Sequence, residues 1–201
     1  MIGRLRLVLW ALVALAAIAL FYLNLRKPSD EPVPPQSTEM AIHEIGGPFT
    51  LTDGDGKAFS STKVAGKPYA IFFGFTHCPD VCPTTLARLT KLRKQLGKGD
   101  GAFDILFVTV DPERDGPKEV GAYSGLFNTP ITGLTGSPAQ IETVKKQFGI
   151  FSEKVPMEGG DYTVNHTATV ILMDKNGKFL ATIAPEEGDD VALAKLKRLT
   201  S

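Results

Sequence analysis

Apolar residues fall into two regimes along the chain, one long run near the start and several shorter periodic runs further on. Leu7 to Leu25 is uncharged over 19 residues, with Tyr22 and Asn24 its only polar interruptions. At ~1.5 Å per residue, a helix of that length matches a hydrocarbon core of ~30 Å. Trp10 and Tyr22 sit near its two ends, where amphipathic rings settle at a membrane interface. Pro28 to Met40 then carries four prolines among Ser, Asp, Glu and Gln, a composition that buries no apolar surface and reads as an extended tether.

From Phe49 the pattern becomes that of a mixed domain. Phe49 to Thr52, followed by Asp53-Gly54-Asp55-Gly56-Lys57, reads as a short strand and turn. Tyr69 to Phe75 and Ile105 to Val110 are continuous apolar runs, as expected of strands buried on both faces. Leu86, Leu89, Leu92 and Leu96 recur at helical spacing, with Pro83 suited to the first turn and Gly97 to the end. Val120 to Phe127 and Ala139 to Phe148 are further predicted helices, the second opened by Ser137-Pro138 as cap and first position. Thr167 to Met173 and Lys178 to Ile183 flank Asn176-Gly177, a strong hairpin signal, and Val191 to Leu199 closes as an amphipathic helix. The order is β-α-β-α-α-β-β-α. Two central strands joined through a helix run parallel and the late hairpin adds an antiparallel edge. That is the outline of a thioredoxin-like α/β fold, a central mixed sheet flanked by helices, behind an N-terminal transmembrane helix.

Length and charge narrow the classes. Residues 1–27 are the expected membrane anchor, 28–42 the tether and 43–201 the single domain, as there is no room for a second. The chain carries 22 basic and 22 acidic residues, but Arg4, Arg6, Arg26 and Lys27 all precede any acid, so the remainder holds 18 basic against 22 acidic. A mildly acidic domain without a basic run is a poor partner for nucleic acid, whose binding rests on phosphate neutralisation. The flanking charges of the apolar run nearly tie, so they do not orient it. Its short N-terminal lead resembles a bacterial export signal, which favours an anchor in the inner (cytoplasmic) membrane with the domain outside, in the periplasm. Ala17-Ile18-Ala19 has the form of a peptidase site, but the apolar run continues past it, and an uncleaved signal anchor is the better reading.

The only two cysteines, Cys78 and Cys82, lie between a buried strand and a helix in Phe75-Thr76-His77-Cys78-Pro79-Asp80-Val81-Cys82-Pro83. On one face of a helical entry their Cβ atoms would be ~5–6 Å apart, close enough to hold one metal at ~2.3 Å from each sulfur or to close a disulfide, but not both. A disulfide across so short a loop would remove little unfolded-state entropy. Two thiolates rarely complete a site. Among His43, His77 and His166, His43 falls at the end of the tether and His77 is turned away by its neighbour, whereas His166 precedes a strand whose edge converges on the cysteine end of the sheet. Cys78, Cys82 and His166 are therefore the candidate ligands. Two soft thiolates and an imidazole suit Cu(I) in trigonal geometry and accept Cu(II) when a fourth ligand or water approaches. Zinc is the alternative, but a structural zinc site normally has four protein ligands. Asp111 and Asp115, with Arg114 between them, follow the second buried strand; they either form a solvated loop with a local ion pair or shape the site.

Three segments together carry a specific likeness: Gly74 to Pro83, then Val110-Asp111-Pro112-Glu113-Arg114-Asp115, then Asp161-Tyr162-Thr163-Val164-Asn165-His166-Thr167. From about Phe49 to the C-terminus the chain resembles the Sco/SenC family of cytochrome oxidase assembly proteins. The resemblance implies copper delivery to the binuclear copper centre of a terminal (cytochrome c) oxidase, with Cys78, Cys82 and His166 as ligands. The implied partners are the oxidase subunit that carries this centre and other copper chaperones. One departure is visible: the family usually has Asp immediately before the histidine, and this chain has Asn165, which keeps hydrogen bonding but loses the charge.

Three functions compete. The first is a metallochaperone without covalent turnover. The second is an enzyme, a thiol-disulfide reductase acting through a redox-active Cys78 and Cys82 on a partner's cysteines. The third, a peroxiredoxin-like peroxidase, shares the fold but has no use for His166. General thioredoxin-type reductases carry Cys-x-x-Cys and a proline before the third main strand; here three residues intervene and Val164-Asn165-His166-Thr167 stands in that place, which favours metal. Because the tether contributes no core, a protein trimmed to residues 41–201 should be soluble, monomeric and melt cooperatively; aggregation or a melt without a sharp transition would place the boundary elsewhere.

Overall fold

The computed structural model describes residues 2–25 and 45–201. The chain divides into two units, Met1–Ile42 and His43–Ser201, taken separately below. In the first, Ile2–Leu25 forms α1, one helix of 24 residues. Only part of its side chains is described, and among the described residues no helix is long and apolar enough to cross a membrane. The tether and His43 lie outside the described residues.

The second unit is built on a seven-stranded sheet. Its elements are β1 (Thr50–Asp53), β2 (Ala58–Ser60), β3 (Tyr69–Gly74), α2 (Val81–Gln95), β4 (Asp104–Thr109), α3 (Pro117–Gly125), β5 (Thr132–Thr135), α4 (Pro138–Phe148), β6 (Ser152–Pro156), β7 (Tyr162–His166), β8 (Val170–Met173), β9 (Phe179–Ile183) and α5 (Asp189–Leu199). The strand order is β2-β1-β5-β4-β3-β8-β9, while β6 and β7 form a separate two-stranded sheet. β3, β4 and β5 run parallel; β8 joins β3 antiparallel and pairs with β9. This is the mixed sheet with flanking helices of a thioredoxin-like fold.

The apolar runs become the two central strands because both faces of the sheet are covered. Every residue of β3 is buried, as is β4 after its first. Successive side chains point to opposite faces. Phe73 meets Phe148 of α4 at 5.6 Å between ring centroids. Phe72 faces the other way, beside Phe107, which packs against Tyr123 of α3 at 5.0 Å. α2 lies on the Phe72 face and buries Cys82, Leu86, Leu89 and Leu92, the leucine spacing read from the sequence, with α5 packed beside it.

Local signals explain the ends. Ser137 and Gln140 form a reciprocal capping box at the start of α4, and Gly149 ends it in the left-handed region at φ 66°. Asp174 accepts from the backbone N–H groups of Asn176 and Lys178 at 2.8 and 2.9 Å, fixing the Asn176-Gly177 turn between β8 and β9.

The structure also adds β2, β5 and the β6–β7 hairpin, which the sequence pattern did not mark. β5 reads Thr-Gly-Leu-Thr, too short and too glycine-broken for a strand signal. Its glycine is there for close approach: a Cβ on Gly133 would come 2.4 Å from the Val120 carbonyl and 2.5 Å from the Ser124 hydroxyl of α3. β6 is largely exposed and includes Pro156, so it shows no alternation. The third helix begins at Pro117, three residues earlier than the apolar pattern predicts, because Pro117 occupies its first turn. Gly133→Ala should therefore destabilise the domain by about 1–3 kcal/mol, the usual cost of overpacking. A thermal melt should show a fall in Tm of several degrees, at roughly 2–4 °C per kcal/mol for a protein of this size; an unchanged Tm would mean α3 can shift freely away from β5.

Candidate metal centre

The site sits where the parallel strands end, the edge at which this class of sheet presents ligands. β3 finishes at Gly74, and the loop that follows carries Cys78 before α2 begins at Val81. The two cysteines are not both on the helix: Cys82 is in its first turn, and Cys78 is in the loop ahead of it. The Cys82 N–H donates to the Cys78 sulfur at 3.4 Å, and the Cys78 N–H donates to the Phe75 carbonyl at 3.2 Å. Gly74 makes room for this arrangement. A Cβ there would lie 2.8 Å from the Cys82 sulfur and 3.0 Å from the Phe107 ring.

His166 arrives from elsewhere. The sequence pattern places it just before a strand running from Thr167, whereas it is the last residue of β7, and β8 starts only at Val170. Tyr162, Val164 and His166 share the inward face of that strand, and Val164 is buried. Asn165 points the other way and is exposed. The Asn165 amide is thus on the solvent face, opposite the imidazole.

The His166 ring stands edge-on to Phe72 and Phe75, with centroids 6.2 and 5.8 Å away. Its Nδ1 is 3.0 Å from the Thr167 carbonyl, an oxygen that can only accept, so Nδ1 carries the proton and Nε2 is left with a free lone pair. Nε2 lies 3.4 Å from the Cys82 sulfur. Burial lowers the His166 pKa, partly opposed by the Thr167 carbonyl, which keeps the ring neutral near pH 7.

The two sulfurs and an imidazole nitrogen all lie within 4.8 Å of one another. In trigonal geometry an ion at ~2.3 Å from sulfur and ~2.0 Å from nitrogen sets the sulfurs about 4.0 Å apart and the nitrogen about 3.7 Å from each. Cys82 Sγ and His166 Nε2 are already within that distance, and closing the remaining separations takes at most about 1 Å. Both thiols are free. Cys82 has no exposed surface, and burial first of all pushes its thiol far above the ordinary range. A thiolate there is unfavourable unless a cation replaces the proton, so loading must release protons.

His77 is exposed and turned toward Thr76 and Asp115, its Nδ1 being 3.2 Å from the Thr76 hydroxyl and 3.4 Å from the Asp115 carboxylate. The reading of Asp111 and Asp115 as a solvated loop does not hold, because both carboxylates are fully buried. Asp115 accepts from the Thr76 N–H at 2.8 Å, the Thr76 hydroxyl at 2.5 Å and the Thr109 hydroxyl at 2.7 Å. Asp111 accepts from Arg114 Nε at 2.5 Å and the Tyr162 hydroxyl at 2.9 Å. Thr76 and Tyr162 lie inside the quoted motifs, but no spacing rule singles them out; only their contacts do.

Residues 37–201 match the SCO1/SenC family. The chain belongs to that family. An SCO2-like protein of Rickettsia prowazekii is 37% identical over 155 residues, which cover 74% of this chain and 76% of that protein. The structure of Bradyrhizobium japonicum ScoI with copper bound aligns at a TM-score of 0.69 with 44% identity, covering 77% of this chain and 99% of that one. BsSco, a member of the Sco family of cytochrome c oxidase assembly proteins in which a disulfide switch was identified, aligns at 0.61 with 28% identity, covering 79% of this chain and 94% of its own.

The asymmetry between the two thiols is measurable. In the reduced, metal-free Sco protein, iodoacetamide at pH 8 should label the partly exposed Cys78 at least about tenfold faster than Cys82, which is buried and has the raised thiol. Peptide mass spectrometry over time checks this; equal rates would show that the loop opens faster than labelling.

Proposed function

We propose that this Sco protein is a copper metallochaperone that holds its cargo through Cys78, Cys82 and His166 and delivers it to the binuclear copper centre of a terminal oxidase during assembly. The observation that carries the reading is the convergence of three soft or borderline donors, within 4.8 Å, from two segments 84 residues apart. Two thiolates and a neutral imidazole match Cu(I), a soft ion content with three ligands, while an added water or ligand from outside would admit Cu(II). Zinc fits less well, since among the described residues the cluster supplies three ligands and no fourth. Family membership and the copper-bound relative support the metal, and the place of BsSco among the cytochrome c oxidase assembly proteins supports the setting in oxidase assembly.

Delivery then needs no net redox chemistry. A partner's ligands replace the sulfurs and nitrogen one at a time, and the copper keeps its electrons. The half-exposed Cys78 and the solvent-facing hairpin give an incoming ligand its approach. The tether and an anchor formed by α1 would hold the domain on the periplasmic side of the bacterial inner membrane. Support for this comes from the helix length of ~36 Å at 1.5 Å per residue and from the uncharged run Leu7 to Leu25.

A second reading keeps the same cysteines for thiol-disulfide exchange. It is favoured by the contact between the Cys82 N–H and the Cys78 sulfur, which keeps that sulfur at the start of α2 on the same side as the Cys82 sulfur and within 4.8 Å of it, and by the disulfide switch identified in BsSco. In that case the dithiol is oxidised to a Cys78–Cys82 disulfide while a partner disulfide gains two electrons and two protons.

His166 separates the two. Cys78→Ser and Cys82→Ser should each abolish tight copper binding. His166→Ala should weaken Cu(I) binding by more than about 100-fold, beyond the ~10–100-fold typical of residues one shell out, yet keep a reducible Cys78–Cys82 disulfide. When the His166→Ala protein replaces the native one in cells, oxidase activity should be lost at ordinary copper; full activity there would leave thiol reduction as the function.

A further inference from the structure

The Asp111 to Asp115 turn is not used by the copper site itself, yet it touches both segments that supply the ligands. At one end, Asp115 takes the backbone N–H and the hydroxyl of Thr76, two residues ahead of Cys78, and the Thr109 hydroxyl ties it to the end of β4. The Asp115 carbonyl also accepts from the Thr135 hydroxyl at 2.7 Å, which fixes the turn to β5. At the other end, the grip is on the hairpin. Asp111 accepts from the Tyr162 hydroxyl at 2.9 Å, and Arg114 Nη1 donates to the Tyr162 carbonyl at 2.9 Å and to the Asp161 carboxylate at 3.1 Å. The Arg114 guanidinium lies 3.8 Å from the centre of the Tyr162 ring, and Lys154 of β6 lies 4.7 Å from the same ring while pairing with Glu113 at 2.6 Å.

The hairpin needs such a grip. β6 and β7 pair with each other and with no strand of the main sheet. Nothing in the ladder therefore fixes the direction of β7. At its base the hairpin is tied by the Thr167 N–H to the Phe151 carbonyl and by the Phe151 N–H to the Thr167 hydroxyl, but those bonds join it to itself. At ~3.3 Å per residue, Tyr162 lies about 13 Å along the strand from His166. Fixing that far end on a buried carboxylate sets the angle of the whole strand, and with it the place of the imidazole.

We infer that the Asp111–Arg114–Asp115 turn is the positioning element of the copper site, holding the cysteine loop through Asp115 and the histidine strand through Asp111, Arg114 and Tyr162. It rests on the copper reading above. The turn is short and rigidly bonded to two strands, so it makes the sulfur-to-imidazole separation a property of one local structure. Release of the Tyr162 grip would let His166 withdraw while both thiolates remain, turning a three-ligand site into a two-ligand one that gives up copper more readily.

The test is a double-mutant cycle in the full-length protein in detergent, with Cu(I) supplied against a colorimetric Cu(I) chelator. Tyr162→Phe removes one hydroxyl and keeps the ring; Arg114→Lys keeps the charge and loses the fork, and serves as the second variant should either fail to fold. Each should weaken Cu(I) binding about tenfold in the His166 protein, in the range for residues that orient ligands. In the His166→Ala background the same changes should have no effect, because there is no imidazole left to position. X-ray absorption of the Tyr162→Phe protein should show a reduced nitrogen contribution with the sulfur count unchanged. Equal weakening in both backgrounds, or none in either, would overturn the positioning role while wild-type binding at two sulfurs and one nitrogen still stood. Copper held at the wild-type level without His166 would instead remove the imidazole from the site and with it the three-ligand reading on which the positioning role rests.

Discussion

Burying Asp115 is the constraint on which the site depends. A carboxylate without solvent is tolerated only when its oxygens are satisfied, and here two hydroxyls and a backbone N–H do so. Those donors are not free to choose their positions. Thr109 ends β4 and Thr76 belongs to the loop after β3, two strands paired in parallel up to Gly74 and Thr109. The carboxylate thereby locks the cysteine loop to the frame of the sheet, and the Cys82 sulfur sits against Gly74, where a Cβ would leave it no room.

Above this fixed floor the third donor is delivered by a less constrained piece. The β6–β7 hairpin is outside the main sheet, carries an exposed outer face and brings His166 in over Phe72 and Phe75. The division has a chemical logic. In the proposed copper site the buried Cys82 sulfur sits against the sheet and gives strength, while the partly exposed Cys78 and an imidazole on a hairpin give it a side that can open. The proposed role as a copper carrier would need both, since a cage fixed on all sides would bind but not release. The same geometry accommodates disulfide chemistry, because without an ion the two thiols are free and lie within 4.8 Å of each other.

Asn165 faces solvent. Its side chain is on the face of β7 opposite the imidazole, paired across the hairpin with Glu153. As an amide it brings no charge to that face, and the electrostatics of His166 rest on burial and the Thr167 carbonyl. Charges at such rims act on encounter and partner discrimination more than on the chemistry beneath them.

The local elements were legible in the sequence because short-range physics decides them. The continuous apolar runs of β3 and β4, the leucine spacing of α2, the Ser137-Pro138 cap and the Asn176-Gly177 turn each carry their cause within a few residues. The cysteine pair and His166 could be named as candidates from their chemistry. Tertiary structure alone decided what depends on contacts between distant segments: that β5 is a strand because Gly133 admits α3, that residues 152–166 fold into a separate hairpin, and that Asp111 and Asp115 are buried. A carboxylate in a loop reads as solvated until its donors are known, and those of Asp115 and Asp111 come from residues as far as 39 and 51 positions away. Local pattern holds no record of such pairings, because the free energy that fixes them is shared between segments that meet only once the chain has folded.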